Sequence, residues 1–155
     1  MNIQKIREVA IKFRCAADAA YEYGAFGFGA PFNNFPHECC DDMCDLFGQF
    51  LFEKDVKVFK VHGIYRYDEW ENKYSHVWLQ FGDGNVIDLT GDQYKDDPIM
   101  LNYDVACYVG KASYLHDLFP IEERHSYPYY GINDYSNINV RKRLWNLYDI
   151  IVSFI

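Results

Sequence analysis

Ser75-His-Val-Trp-Leu-Gln-Phe-Gly-Asp-Gly-Asn-Val-Ile-Asp-Leu-Thr90 reads as two strands, Ser75 to Phe81 and Val86 to Thr90, joined by a short turn. Side chains alternate along a strand, so Val77, Leu79 and Phe81 share one face of the first strand and Ile87 and Leu89 one face of the second. For both apolar sets to meet the same core, the loop between them must hold an odd number of residues. Gly82-Asp83-Gly84 supplies three, with Gly84 suited to the left-handed position of a bulged turn; a two-residue Asp-Gly turn would send one set into water. This register pairs Phe81 with Asn85, Leu79 with Ile87 and Trp78 with Asp88. His76, Trp78, Asp88 and Thr90 then share the opposite face. Asp88 becomes the diagonal cross-strand neighbour of His76, at roughly 7–8 Å between backbones, a gap that side chains close.

Upstream lies Phe35-Pro-His-Glu-Cys-Cys-Asp-Asp-Met-Cys-Asp-Leu-Phe47. The spacing predicts a helix over 39–53 with Cys40, Met43, Cys44, Phe47, Phe50 and Leu51 on one stripe. A cysteine at a helix start has free N–H groups and the macrodipole to stabilise its thiolate. Followed in the chain by a His and an Asp in register, it has the order of a nucleophile, its base and the group that orients the base. Cys39 and Cys40 both lie near that start. Cys40 shares its stripe with Cys44 and Phe47 and so points toward the sheet, which favours it over Cys39. Asp41 and Asp42 work against this, since two carboxylates beside a thiol oppose its ionisation. A thiolate–imidazolium pair with His76 has to overcome them. If the hairpin turn were even, His76 and Asp88 would part, and Asp92 would be the next candidate for the orienting carboxylate.

The flanks complete a single domain, residues 1–155. Ile3, Ile6, Val9, Ala10, Phe13 and Ala17 recur at helical spacing within 2–23. Gly24 to Pro36, rich in Gly, Pro and aromatics, reads as an ordered surface loop. Its glycines lack the spacing and the Gly-Lys-Ser/Thr of a P-loop. Val56 to Tyr65, alternating around Val56, Val58, Lys60 and His62, reads as a strand, and another is expected near Val105 to Val109. Ser126 to Tyr135 reads as loop. Asn139 to Ile155 closes the chain as a helix with Val140, Leu144, Leu147, Ile151 and Phe154 facing inward. No repeat or linker divides the chain, and the fold class is α+β.

Composition narrows the function classes. Half of the 155 residues are hydrophobic and 19% are aromatic, enough to build a core and to argue against disorder. A formal charge of −8 with no basic stripe argues against a nucleic-acid partner; the cluster Arg141-Lys-Arg143 reads as a solvated face. The longest apolar run, Tyr148 to Ile155, contains Asp149 and falls short of a membrane span. The N-terminus lacks a charged-then-apolar signal pattern, so cytoplasmic residence is the default expectation, with export as an effector without a cleaved signal as the other. Five cysteines without a secretory context read as free thiols. His37, Cys39, Cys40 and Cys44 could be offered to zinc, but vicinal cysteines suit one tetrahedral ion poorly and no second Cys/His pair completes the spacing. No metal or cofactor is expected. Cys15 and Cys107 are read as core material, and His62, His116 and His125 as lacking partners for chemistry.

Phe-Pro-x-x-Cys-Cys before a helix, Ser-His-x-Trp-Leu, and Ile-Asp-Leu-Thr-x-Asp-Gln-Tyr, taken in order over residues 35–94, resemble small bacterial proteins of the papain-like/transglutaminase-like cysteine superfamily. The resemblance implies a nucleophile helix packed on an antiparallel sheet that bears the base and the orienter, here between N- and C-terminal helices. It assigns Cys40 as nucleophile, His76 as base and Asp88 as orienter. The chain departs from the pattern in Asp41-Asp42 and in Cys44, where Ser or Ala is usual. It also lacks the Gln that papain-type enzymes place before the nucleophile, Gln4 being too distant. The Cys40 backbone N–H and Gln93 stand as oxyanion-donor candidates; Trp78 and Cys39 are further candidates for the oxyanion or substrate site. The expected activity is cysteine-dependent hydrolysis of an amide or acyl bond in a protein or peptide (protease, amidase or deamidase) through a thioester. A transglutaminase or acyltransferase would share the triad. A non-catalytic binding module, such as an inhibitor or immunity-type protein, is the alternative from another class, its negative charge suited to a basic partner.

Overall fold

The computed structural model describes residues 1–28 and 31–155. Among them four helices and five strands form an α+β arrangement: α1 (Ile3–Tyr23), α2 (Cys40–Phe52), β1 (Phe59–Arg66), β2 (Lys73–Phe81), β3 (Asn85–Asp88), β4 (Tyr108–Gly110), α3 (Tyr114–Asp117), β5 (Arg124–Pro128) and α4 (Ile138–Val152). The strands make one antiparallel sheet in the order β4-β3-β2-β1-β5. Gly29 and Ala30, in the loop expected over 24–36, lie outside the described residues.

α1 begins where the Asn2 side chain accepts from the Lys5 N–H and ends at Gly24, whose φ of 77° places it in the left-handed region, a conformation that costs glycine little. Its inward stripe of Ile6, Ala10, Phe13 and Ala17 is fully buried. These side chains meet Met43, Leu46, Phe47 and Leu51 of α2 and Leu144, Leu147 and Ile151 of α4. This helical layer covers the sheet face that carries Val77, Leu79, Phe81 and Ile87.

The β2–β3 hairpin has the odd turn. Phe81 pairs with Asn85 and Leu79 with Ile87, and Gly84 sits at φ 78°. The face opposite the helices is not open to water. Residues 91–119 cross it and build a second core from Val61, Trp78, Val86, Tyr94, Met100, Tyr103, Leu115 and Phe119. Gly63 of β1 makes room for it, since a Cβ there would stand 2.8 Å from the Trp78 ring and 2.9 Å from Phe119.

Four expectations need correction. Cys15, read as core material, is exposed. The stretch from Ser126 to Tyr135 is not all loop: Arg124–Pro128 forms β5 on the outer side of β1, with His62 opposite His125. The strand expected from Val56 enters the ladder only at Phe59, although Val58 is already buried. Phe154 does not face inward; it is half exposed and packs near Tyr23, with ring centroids 5.9 Å apart. No helix among the described residues is long and apolar enough to cross a membrane.

Candidate active site

Cys40 is the first residue of α2, and no side chain caps this end of the helix, so first-turn N–H groups stay open as donors. Strand alternation puts His76 on the second-core side of β2, and its ring is fully buried. There the ring is enclosed by Tyr94 edge-on at 5.3 Å, Trp78 at 5.9 Å and Phe119 at 6.0 Å. His76 Nε2 lies 2.7 Å from Asp88 Oδ2, which closes the diagonal pair set by the hairpin register. Cys40 lies near enough to His76 to bear on its ionisation, helping to raise the imidazole. With Nε2 engaged by Asp88, Nδ1 is the nitrogen left for Cys40. Gln93 brings its Nε2 to 3.5 Å from that same Nδ1 while donating to the Thr90 carbonyl at 3.0 Å. Cys40, His76, Asp88 and Gln93 are thus brought together.

Cys39 is not. It is fully buried, its thiol faces the His37 carbonyl at 3.3 Å, and burial aided by the Asp42 charge pushes the thiol up to about 12. Cys44 is buried deeper in the helix, and desolvation holds it well above the ordinary thiol value. Trp78 is fully buried beneath the site and its indole N–H has no partner; it forms the floor of His76 rather than a surface for substrate. Asp92 turns away to form a two-pronged ion pair with Arg14 at 2.8 and 2.7 Å.

The electrostatics favour charge separation at His76. Burial pulls the imidazole down, but the Asp88 charge and hydrogen bond, with smaller help from Cys40, outweigh it and raise His76 to about 10. Burial pushes Asp88 up, yet the two neighbouring imidazoles hold it well below the usual carboxylate range. Asp88 Oδ1 also accepts from the Thr90 N–H at 2.9 Å, an interaction that favours the ionised form.

The carboxylates flanking Cys40 are both occupied. Asp41 meets Lys60 Nζ at 2.7 Å. Asp42 receives both terminal nitrogens of Arg143, the longer bond at 2.8 Å. Each of the two carboxylates thus has a cation, one from β1 and one from α4. The basic cluster at 141–143 is accordingly not a plain solvated face. Lys60 is almost completely buried and also binds Asp45 at 2.7 Å, where Tyr135 donates its hydroxyl at 2.7 Å.

Sequence reasoning passed over two side chains that build this site. Arg14, buried in α1, donates to the carbonyls of Leu89 and Ala106 at 2.8 and 2.7 Å besides gripping Asp92. It therefore fixes the turn that presents Gln93. His116 does not lack company: its Nε2 stands 3.1 Å from Asp88 Oδ2, the oxygen that His76 uses. Its signal in the sequence was Ser113 three residues before it, a helix cap whose hydroxyl meets His116 Nδ1 at 2.8 Å. His62 also has partners, the Tyr127 hydroxyl at 2.6 Å and Asp41 at 3.6 Å.

Among the described residues, two side-chain clusters have the donors to hold a metal ion: His76, Asp88 and His116, and Asp41, Asp42 and Asp45. In the second, Lys60 and Arg143 already supply the positive charge. In the first, both imidazoles fall at hydrogen-bonding distance on one carboxylate oxygen. Among the described residues, His37, Cys39, Cys40 and Cys44 do not form the cluster that the zinc alternative requires, and Cys39 faces a backbone carbonyl.

A scan against models of known protein families, a search among curated proteins and a search among solved structures each return no match.

Proposed function

We propose that this protein is a cysteine-dependent hydrolase of amide or acyl bonds in proteins or peptides, working through a Cys40–His76–Asp88 triad. The observation that carries the reading is the bond of His76 Nε2 to Asp88 at 2.7 Å, with Cys40 at the start of α2 near enough to help raise the same imidazole. The papain-like/transglutaminase-like resemblance of residues 35–94 supports the same roles.

The Cys40 sulfur attacks the carbonyl carbon of the substrate after its proton has passed to His76. Negative charge gathers on the carbonyl oxygen, where the Cys40 backbone N–H and the Gln93 amide are the candidate donors. The carbon–nitrogen bond then breaks as His76 hands its proton to the leaving amine, and a thioester remains on Cys40. Water, deprotonated by His76, attacks the thioester; the acid is released and the sulfur leaves as thiolate. Asp88 holds the ring throughout and balances its positive charge. An amine in place of water would make the same site a transglutaminase or acyltransferase. Water is the acceptor proposed here because it is always present.

The test is alkylation by iodoacetamide near neutral pH, with the site of modification mapped by mass spectrometry. Cys40 should be modified fastest, ahead of the exposed Cys15, with Cys39 and Cys44 protected. Cys40→Ala should remove the fast phase and all turnover while leaving the fold intact, since a thiol at a helix start contributes little unique packing. A Cys40 no faster than Cys15, together with a biological effect that survives Cys40→Ala but not surface charge reversal, would instead make the protein a binding module.

A further inference from the structure

His116 takes no part in the reaction just described, yet it is fully buried and comes from α3, 28 residues beyond Asp88. Its Nε2 shares Asp88 Oδ2 with His76, at 3.1 Å against 2.7 Å. Its Nδ1 faces the Ser113 backbone N–H at 3.4 Å and the Ser113 hydroxyl at 2.8 Å. A backbone N–H can only donate, so Nδ1 is an acceptor and a neutral His116 carries its proton on Nε2, aimed at Asp88. The ring cannot turn away, because Trp78 packs against it at 5.3 Å and Tyr108 at 5.8 Å. Arg124 pins its backbone carbonyl at 2.9 Å.

We propose that His116 is a positioning residue for the triad: by donating Nε2–H to Asp88 it locks the carboxylate and draws off part of its charge, so that His76 keeps Nε2 on Asp88 and Nδ1 toward Cys40. This role rests on the triad reading above. Among the described residues, the other titratable or charged groups facing the three side chains are Cys40 and Cys44 of α2, Tyr94, Tyr103 and Cys107 of the segment crossing the sheet, Tyr108 of β4 and Arg124 of β5. Only Asp88 bonds both imidazoles.

The experiment follows the rate of Cys40 alkylation by iodoacetamide against pH, whose upper step marks loss of the His76 proton. In His116→Met, which has no donor, the Asp88 charge falls on His76 alone, so that step should move up by about one pH unit. The rate at pH 7 should fall severalfold as the carboxylate loosens. His116→Gln keeps an N–H near the position of Nε2 and should restore the wild-type profile. A step that stays or falls in His116→Met, or that His116→Gln leaves displaced, overturns the proposal. Should His116→Met fail to fold, nitrogen-15 histidine spectra of the wild-type protein decide. A neutral His116 with its proton on Nε2 supports the role; a proton on Nδ1, or on both nitrogens, overturns it. Wild-type Cys40 reacting no faster than Cys15 would sink the triad and this role together, whereas a fast wild type with an unmoved His116→Met profile sinks the role of His116 alone.

Discussion

Asp88 takes hydrogen bonds from two imidazoles on one oxygen, and the charge this requires should appear in the pH dependence of stability. His76 is raised from 6.5 to about 10 on folding. Its contribution is therefore fully present below 6.5 and is lost as pH rises through 10. Asp88 is lowered from 3.8, so its contribution is present above 3.8 and is lost as pH falls below it. The stability difference between wild type and Asp88→Asn, measured by urea denaturation, should peak between pH 4 and 6.5 and shrink on both sides. In Asp88→Asn the largest influence left on His76 is burial, so the upper step in Cys40 alkylation should drop from about 10 to below 6.5. Turnover should fall less than in Cys40→Ala, because the thiolate still partly stabilises the imidazolium. A difference that is flat across pH would mean that Asp88 stays neutral.

At the scale of elements, the start of α2 depends on cations brought by its neighbours. Lys60 lies almost fully buried between Asp41 and Asp45. Lys60→Met would strand the buried Asp45 carboxylate, at a cost of about 3–5 kcal/mol. Lys60→Met with Asp45→Asn should recover much of that loss in urea titrations; equal destabilisation of the two variants would count against the ion pair. The β2–β3 hairpin was legible in the sequence because its register follows from parity alone: five apolar side chains, one face, an odd loop. β5 was not, because a strand of Arg124-His-Ser-Tyr-Pro128 exposes nearly all its side chains and so shows no alternation to read. Its pairing with β1 joins residues far apart in the chain, as in Lys60 opposite Tyr127. Arg14 was hidden for the opposite reason, since a charged residue inside an apolar helical stripe reads as a blemish until its partners at 89, 92 and 106 are in place.

For the whole molecule, the sheet is sandwiched, with helices on one face and residues 91–119 on the other. The proposed triad draws on both cores, Cys40 coming from the helical layer and His76 from the second. His76 and Asp88 were readable as neighbours because they are local, 12 residues apart. His116 was not, since only the path of the crossing segment returns it to Asp88. Trp78 is the largest side chain of the second core and abuts both histidines. Trp78→Ala should therefore cost about 3–5 kcal/mol and also slow Cys40 alkylation. A full loss of stability with an unchanged alkylation rate in the folded fraction would separate the second core from the chemistry.

The bond from Arg143 to Asp42 spans 101 residues of chain. A polypeptide emerging from the ribosome thus makes its cysteine early but receives this counter-charge only with α4. Until then Asp42 lacks its counter-charge, and Tyr135 has not yet arrived to bond Asp45. The start of α2 therefore carries an unbalanced carboxylate through synthesis until α4 folds onto it.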